Sequence, residues 1–280
     1  MDALEKWPIR VHLPLAPMID AQRLESITAE AGRIAHALWP GTGHDLDSWE
    51  KEPGAPVCEA DIAVDKFLKR ELGQLLPSAG WLSEETGDDH SRLDRSLIWL
   101  VDPIDGTRDF IRGRTGWAVS VALVSAGRPL IGILSAPARG EAWMAVAGQG
   151  AWRNGEPLRA STRQDLAGAR VPTDSLPKID RDLTMVDKPN SIALRIAMVG
   201  ADEADLVATL RWGFEWDVGA ATLIAREAGA AVSDAFGHTL DFNKRDPRAF
   251  GVVACAPAIH TAAIERLAGR AARIGGDKDL

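Results

Sequence analysis

Two carboxylates three residues apart end an apolar stretch of the chain. The stretch Leu97–Val101 has the composition of a buried strand, and Asp102 and Asp105 follow it with Pro103 between them. Carboxylates held this close repel each other, so the pair predicts a compensating cation. Their oxygens suit Mg²⁺, which binds a few carboxylates and completes its shell with water and substrate phosphate.

The two residues that follow the pair could receive an anion. Gly106 and Thr107 place backbone amides beside the carboxylates, at the carboxyl end of the strand, where ligands bind in open α/β sheets. An Asp-Pro turn with a capping aspartate explains the same short string without a metal. Both interpretations stay open for this segment alone.

Two further acidic segments favour the metal site. Glu84 and Glu85 follow a short apolar run at 80–82, and Asp217 precedes a run of small and apolar residues that is typical of a buried helix. An aspartate in this place is also an ordinary helix N-cap, which is the alternative for Asp217 considered singly. The three segments together make metal binding the stronger interpretation.

These motifs together resemble the inositol monophosphatase superfamily of metal-dependent, lithium-sensitive phosphomonoesterases. The similar segments occur in the family's order over roughly residues 20–260, and they are Pro56–Asp61, Ser83–Glu85, Trp99–Phe110, and Trp216–Ala220 with Glu227–Gly229. The resemblance implies a layered α/β fold, a five-layer α-β-α-β-α sandwich. A change in the sequence pattern near residue 160 predicts two domains. The resemblance implies that the N-terminal domain, 1–160, has an antiparallel sheet and the metal site, and that the smaller α/β domain, 161–280, contributes Asp217 and substrate contacts.

The resemblance implies a role for each matching position. The implied metal ligands are Glu84, Asp102, the backbone carbonyl of Ile104, Asp105 and Asp217. Asp61 and Thr107 are similar to the pair that orients and deprotonates the attacking water, and Glu84 is the third expected catalytic residue. The expected substrate contacts are Asp105, Gly106, Thr107, Ser191, Arg195 and Asp217.

The charge of the implied ligands agrees with this chemistry. Four carboxylates carry four negative charges, which two Mg²⁺ would neutralise, and a dianionic phosphate would then call for a third, weakly held ion. The expected cofactor is therefore two to three Mg²⁺, and the expected partner is a small phosphorylated metabolite. No covalent phosphoenzyme is required.

The residues around the metal core favour one substrate over others. Inositol monophosphatases usually carry a glutamate seven residues before the last aspartate, where it bonds ring hydroxyls, but this chain has Leu210 there. The strings Gly106–Phe110 and Glu215–Asp217 look more like the 3′(2′),5′-bisphosphate nucleotidase branch. Hydrolysis of 3′-phosphoadenosine 5′-phosphate to AMP is thus the first expectation. The alternatives are inositol 1-phosphate, then histidinol phosphate, and, from another class, a non-catalytic protein that binds a phosphorylated metabolite.

Two residues on a predicted helix have two open interpretations. In the nucleotidase branch a serine, followed a few residues later by a lysine, contacts the second phosphate of the nucleotide. Ser191 and Arg195 lie one helical turn apart and could do the same. Alternatively, Ser191 caps the helix and Arg195 faces solvent.

Hydrophobic periodicity predicts the elements that position these residues. Helices are expected at 18–39, 61–76, 191–199, 216–228 and 257–271, and extended segments at 80–82, 97–101, 117–125, 130–134, 142–146, 205–210 and 250–254. The glycine-rich and proline-rich segment 41–56 predicts a mobile surface loop. Turn residues between the central strands predict an antiparallel meander.

Composition excludes several classes of protein. The 280 residues are 46% hydrophobic and 26% charged, which is typical of a globular chain. A formal charge of −8 without a basic patch argues against nucleic-acid polymers and acidic membranes as partners. Charges and prolines in residues 1–17 do not fit a signal peptide, so a cytoplasmic protein is expected. The resemblance adds a homodimer as an expectation.

Overall fold

The computed structural model describes residues 21–275. Its helices are α1 (Ala21–Leu38), α2 (Glu59–Leu75), α3 (Thr107–Ile111), α4 (Ile192–Gly200), α5 (Glu215–Glu227) and α6 (His260–Gly275). The strands of the first part are β1 (Ser48–Glu52), β2 (Ala55–Cys58), β3 (Gly80–Ser83), β4 (Leu97–Asp105), β5 (Ala118–Ser125), β6 (Arg128–Ala136), β7 (Glu141–Val146), β8 (Gly150–Arg153) and β9 (Glu156–Pro157). Those of the second part are β10 (Arg170–Pro172), β11 (Thr184–Val186), β12 (Leu206–Ala208), β13 (Trp212–Phe214), β14 (Ala231–Ser233), β15 (Arg248–Phe250) and β16 (Val253–Cys255).

The described chain forms five layers. Helices α1 and α2 cover one face of a seven-stranded sheet with the strand order β3-β4-β5-β6-β7-β8-β9, and α4 and α5 cover its other face. A three-stranded sheet, β12-β16-β14, packs on the far side of α4 and α5, and α6 packs on that sheet. The mixed α/β sandwich expected from the sequence is confirmed.

Strand β4 is buried on both faces, which explains its unbroken apolar sequence. Trp99 and Val101 pack in the core beneath α1 and α2, whereas Ile98 and Leu100 pack in the core beneath α4 and α5. The second of these cores contains residues from both sides of position 160. The division into domains 1–160 and 161–280 stays a prediction.

Strand β3 corrects the expected antiparallel meander. It pairs parallel to β4, with Ser83 opposite Val101, while the remaining neighbours in the large sheet are antiparallel. The chain returns from the end of β3 through residues 84–96, which include a short 3₁₀ turn at Ser91–Asp94, before β4 begins. The carboxyl ends of both strands therefore meet at one edge of the sheet.

Two other expectations need correction. The segment 41–56 is not simply a loop, because β1 and β2 pair antiparallel within it and the hairpin runs directly into α2. The strand expected at 250–254 is divided into β15 and β16 at Gly251, whose φ of +68° only glycine adopts easily. A Cβ at Gly251 would also collide with the carbonyl of Thr209.

The predicted helices all occur within the described residues, with ends shifted by a few positions. Residues 18–20 of the first predicted helix lie outside the described part of the chain. Within 21–275, no helix combines the length and the apolar character that a membrane span requires.

Candidate metal centre and active site

Three carboxylates meet at the edge of the large sheet. Glu84, Asp102 and Asp217 each place one oxygen so that these atoms lie within 4.8 Å of one another. Glu84 follows the last residue of β3, Asp102 lies in β4, and Asp217 lies in the first turn of α5. Residues from both halves of the chain thus form one acidic cluster.

The parallel pairing of β3 and β4 brings the first two carboxylates together. Because Ser83 is opposite Val101, the next residues along each strand, Glu84 and Asp102, come side by side. The Glu84 amide continues the ladder by donating to the Val101 carbonyl at 3.3 Å. Register alone therefore accounts for their proximity.

Small residues let α5 approach closely enough to add Asp217. A Cβ on Gly219 would come within 2.9 Å of the Leu100 side chain, and a Cβ on Gly132 would come within 3.0 Å of the Ala220 Cα. Helix and sheet therefore pack closer than larger side chains would allow. The Asp217 carboxylate also accepts the Phe214 amide at 2.9 Å, which fixes it at the helix N-terminus.

The cluster has too little positive charge beside it to neutralise its carboxylates. Burial first, and neighbouring carboxylates second, raise the pKa of Glu84 to about 8 and that of Asp217 to about 7. The pKa of Asp102 is raised well above its usual value for the same reasons. Lys51 Nζ lies 3.8 Å from Glu84 Oε1, but no described Lys, Arg or His nitrogen lies within 4.0 Å of Asp102 or Asp217. Three such carboxylates fit a divalent cation with a preference for oxygen ligands.

Asp105, a predicted ligand, turns its carboxylate toward the N-terminus of α4. One oxygen accepts the Ser191 hydroxyl and the Ala193 amide, both at 2.6 Å, while the other accepts the Ile192 amide at 3.3 Å. Burial raises the pKa of Asp105, and these hydrogen bonds oppose that rise. Asp105 thus lies outside the group of three, and its role as a ligand stays a prediction.

Asp61 and Thr107 lie beside the cluster, as the resemblance implies. The Thr107 hydroxyl is 2.9 Å from the carbonyl of Ile104, the predicted backbone ligand, and 3.4 Å from Asp61 Oδ1. Its single proton can serve only one acceptor at a time. Burial raises the pKa of Asp61 to about 6.

Cys58 fixes the orientation of Asp61. Its backbone amide and its thiol both donate to Asp61 Oδ2, at 2.8 and 2.9 Å. The other carboxylate oxygen, Oδ1, is thereby left facing Thr107. Cys58 is fully buried and begins α2, and the sequence analysis assigned it no role.

Ser191 caps helix α4, and its role as a substrate contact stays a prediction. This buried residue is the N-cap of α4, because its hydroxyl oxygen accepts the Leu194 amide at 2.9 Å while the hydroxyl donates to Asp105. Arg195 is partly buried and does not simply face solvent, since it donates to the carbonyls of Ser191 and Asn190. Gly106 has a φ of +98° and packs against the Ser191 amide.

Three charged residues at the site were missed by the sequence analysis. Lys51, on β1, pairs with Glu84 and Glu85, but the segment was interpreted as a loop. Asp65, one turn after Asp61, accepts the hydroxyls of Ser83 and Thr86 and so braces the turn that carries Glu84. Its spacing of four residues from Asp61 was the available signal. Arg211 lies near Asp217, whose pKa its charge lowers slightly against the larger effect of burial.

Comparison with known proteins agrees with this geometry. The family described as the inositol monophosphatase family matches residues 19–272. Inositol monophosphatase 3 of Solanum lycopersicum is 30% identical over 68% of this chain and 77% of its own length. The histidinol-phosphatase of Mycobacterium tuberculosis is 32% identical over 69% and 79%.

A solved structure shows the same fold. The IMPase of Thermotoga maritima superimposes with a TM-score of 0.77 and 26% identity, covering 90% of this chain and 98% of the other. The family match spans the strands and helices that bring the acidic cluster together. The chain belongs to the inositol monophosphatase family, whose members are metal-dependent phosphatases of small phosphorylated molecules.

Proposed function

We propose that this protein is a Mg²⁺-dependent phosphomonoesterase that uses an activated water molecule. The observation that carries the proposal is the group formed by the buried Asp102 and the partly buried Glu84 and Asp217, with oxygens within 4.8 Å and too little positive charge beside it. An acidic group of this kind is costly to bury without a cation. Two to three Mg²⁺ are the proposed cofactor.

The proposed metal-holding residues are the three clustered carboxylates, with Asp105 and the Ile104 carbonyl added by the family resemblance. Bound Mg²⁺ would polarise the phosphoryl group, lower the pKa of a water molecule and stabilise the leaving oxygen. The protein contributes the placement of the carboxylates, directly after β3, in β4 and in the first turn of α5. Cations from solution can then complete a site that the fold has already assembled.

Asp61 and Thr107 are the proposed pair that handles the water. The Thr107 hydroxyl orients the water, and Asp61 accepts its proton as the oxygen forms a bond to phosphorus. The phosphorus–oxygen bond to the alcohol then breaks, the alkoxide takes a proton from solvent water, and inorganic phosphate and the neutral alcohol are released. Because its pKa is raised to about 6, Asp61 binds a proton more readily than an exposed aspartate while remaining ionised near neutral pH.

The leaving group is proposed to carry a second anionic group. Arg195 and Arg211 lie near Asp105 and Asp217, respectively, and close enough together that the charge of Arg211 lowers the pKa of Arg195, after the larger effect of burial. Within residues 21–275, neither guanidinium has a carboxylate oxygen within 4.0 Å. Two adjacent unpaired arginines attract an anion and disfavour a cationic group such as the amine of histidinol.

A cavity that Arg195 helps to line agrees with a nucleoside part, because it joins apolar walls to cationic side chains. It has a volume of about 270 Å³ and is lined by several leucine and valine side chains, Leu210 among them, and by the charged side chains of Lys188, Arg266, Arg270 and Asp180. Leu210 offers no hydrogen bond to a polyol ring. These features support 3′-phosphoadenosine 5′-phosphate as the proposed substrate, with Arg195 rather than the buried Ser191 hydroxyl as the contact to its second phosphate.

The test is release of inorganic phosphate by the purified protein, with Mg²⁺ and with a chelator. We expect kcat/KM for 3′-phosphoadenosine 5′-phosphate to exceed that for inositol 1-phosphate and for histidinol phosphate by about a hundredfold, or ≈ 2.7 kcal/mol. A preference for either alternative ester would contradict the proposed substrate, but the proposed phosphatase activity would stand. Binding of Mg²⁺ without turnover of any ester would favour the non-catalytic binding protein.

Two arginine variants, one at the proposed contact and one away from it, test the contact to the second phosphate. Arg195→Met should lower kcat/KM for the bisphosphate about tenfold and leave inositol 1-phosphate nearly unaffected, because only the first has a second phosphate. Arg226 is a partly buried arginine on the far end of α5, and Arg226→Met should not discriminate between the esters. An equal loss on both esters in Arg195→Met would contradict the proposed contact.

A further inference from the structure

We propose that Glu215 and Arg92 are positioning residues that hold Glu84 and Asp217 at the correct separation for metal binding. The inference rests on the proposed metal site but concerns residues outside it. Glu215 is two residues before Asp217 on α5, and Arg92 lies in the turn after Glu84. Both side chains form hydrogen bonds with the same two residues, 243 and 244.

Glu215 holds this two-residue segment from the side of α5. It is 1% exposed, and its two carboxylate oxygens accept the amides of Asn243 and Lys244 at 2.5 and 3.0 Å. Lys244 Nζ adds an ion pair at 3.2 Å. In addition, the Glu215 amide donates to the Pro247 carbonyl at 3.0 Å, three residues beyond the segment, so the start of α5 is also bound to the chain that follows it.

Arg92 holds the same segment from the side of β3. It is 1% exposed and donates to the Asn243 side-chain carbonyl at 2.6 Å and to the Lys244 backbone carbonyl at 2.8 Å. Its remaining donors reach Asp88 at 2.8 and 3.1 Å. Asp88 is four residues beyond Glu84, in the turn that leads away from the cluster.

These contacts form a continuous bridge between two metal-site segments that are far apart in sequence. The bridge runs from the Glu84 turn through Asp88 and Arg92, across Asn243, to Glu215 and the first turn of α5. Counted with the Lys244 ammonium that pairs with Glu215, its charged groups are two acidic and two basic, in contrast to the acidic cluster that it spans. Asn243 has a φ of +63°, a conformation that non-glycine residues adopt with strain and that the surrounding contacts hold.

The bridge opposes the electrostatic repulsion between the carboxylates of the metal site. Glu84 and Asp217 each place a carboxylate oxygen in a group whose atoms lie within 4.8 Å of one another, so Coulomb repulsion acts to separate the end of β3 from α5. Metal affinity depends on ligands held close to their final geometry before binding. Loosening the bridge should therefore weaken cation binding without removing any ligand.

The chain supplies a matched control on the same helix. Glu227, in the last turn of α5, also accepts two backbone amides with its carboxylate, from Gly148 at 2.9 Å and Gly150 at 3.0 Å. It joins α5 to the turn between β7 and β8, away from the acidic cluster. Glu215→Gln and Glu227→Gln thus remove the same kind of contact at opposite ends of one helix.

The experiment is calorimetric titration of Mg²⁺, and separately of Mn²⁺, into the full chain without substrate. We expect Glu215→Gln to weaken binding about tenfold, equivalent to about 1.4 kcal/mol, and Glu227→Gln to stay within twofold of wild type. Asn243→Gly is a second variant that keeps the positive φ and deletes the acceptor for Arg92, and it should weaken binding by several-fold. Melting temperatures of all variants establish that each is folded at the titration temperature.

Turnover provides a second readout that separates positioning from simple instability. In Glu215→Gln the Mg²⁺ concentration for half-maximal phosphate release should rise about tenfold, while kcat at saturating Mg²⁺ changes less than threefold. Equal effects of Glu215→Gln and Glu227→Gln, or unchanged binding in both Glu215→Gln and Asn243→Gly, would overturn the bridge and leave the proposed phosphatase intact. A wild-type protein that binds neither cation would overturn both.

Discussion

Two buried aspartates in this protein have opposite electrostatic surroundings. Asp102 and Asp205 are each 1% exposed, yet the pKa of Asp102 is well above its usual value and that of Asp205 is lowered to about 2. Burial acts on both in the same direction. The difference comes from their neighbours, which are carboxylates for Asp102 and hydrogen-bond donors for Asp205.

The surroundings of Asp205 show what a structural carboxylate looks like. Its oxygens accept the Ser161 hydroxyl at 2.5 Å, the Arg170 amide at 2.8 Å and two Arg170 guanidinium nitrogens at 2.8 and 3.0 Å. These bonds outweigh the burial that raises its pKa. Asp102 accepts only the Ile104 amide, at 3.0 Å, among the bonds of the described residues. A buried acid with few donors thus marks the place where an external cation is expected.

The largest expected effect comes from replacing Asp102, the aspartate of the two whose charge has few hydrogen-bond donors beside it. Asp102→Asn should lower kcat/KM for phosphate release by at least about 10³-fold, or ~4 kcal/mol, because a central cation ligand is lost. Without metal at pH 8, the same variant should be more stable than wild type, since one repelling carboxylate is gone. Wild-type activity in Asp102→Asn would show that the catalytic metal does not bind at this cluster.

The next effect is a dependence of stability on pH in the metal-free protein. Acids whose folded-state pKa is raised bind more protons when folded, so stability falls as pH rises from about 4 through the raised values of about 6, 7 and 8 for Asp61, Asp217 and Glu84. Asp61 alone contributes about 3 kcal/mol over its whole titration, and about half of that loss falls between pH 5 and pH 8. Urea unfolding at pH 5 and pH 8 with a chelator measures it, and saturating Mg²⁺ should restore stability at pH 8. An unfolding free energy that stays constant or rises between pH 5 and pH 8 would contradict the raised pKa values of these acids.

A smaller effect is expected at the compensated aspartate. Asp205→Asn should destabilise the protein by about 2 kcal/mol, because it breaks a charged pair whose arginine is still about a third exposed. Phosphatase activity per folded molecule should not change. Asp202 is an exposed partner of the same arginine, and Asp202→Asn should cost less than about 0.5 kcal/mol in urea unfolding. Equal losses of unfolding free energy in Asp205→Asn and Asp202→Asn would show that the buried and the exposed carboxylate contribute equally to stability.

The smallest effect tests the orientation of Asp61. Cys58→Ala deletes the thiol that donates to Asp61 Oδ2, so kcat should fall about fivefold, corresponding to about 1 kcal/mol for one hydrogen bond. Cys58→Ser keeps a donor and should remain within twofold of wild type. The Mg²⁺ requirement should be unchanged in both variants. Similar losses in the alanine and serine variants would indicate a packing role instead.

Sequence patterns predicted the elements whose signals are local. The apolar run before Asp102 predicted a buried strand, and the small and apolar residues after Asp217 predicted a buried helix, and both occur. Such patterns are read within ten to fifteen residues, because periodicity and turn chemistry depend on adjacent positions. The hairpin at 48–58 was missed because its glycine and prolines indicated a loop, whereas the pairing of β1 with β2 decided the result.

The identity of the acidic residues was thus determined by the sequence, but their arrangement was not. Only the tertiary structure shows that β3 runs parallel to β4, which sets Glu84 beside Asp102, and that Asp105 turns to Ser191, a residue 86 positions away. The bridge from Arg92 to Asn243 spans 151 positions. Contacts over such separations depend on how whole layers pack, and no local pattern encodes that choice.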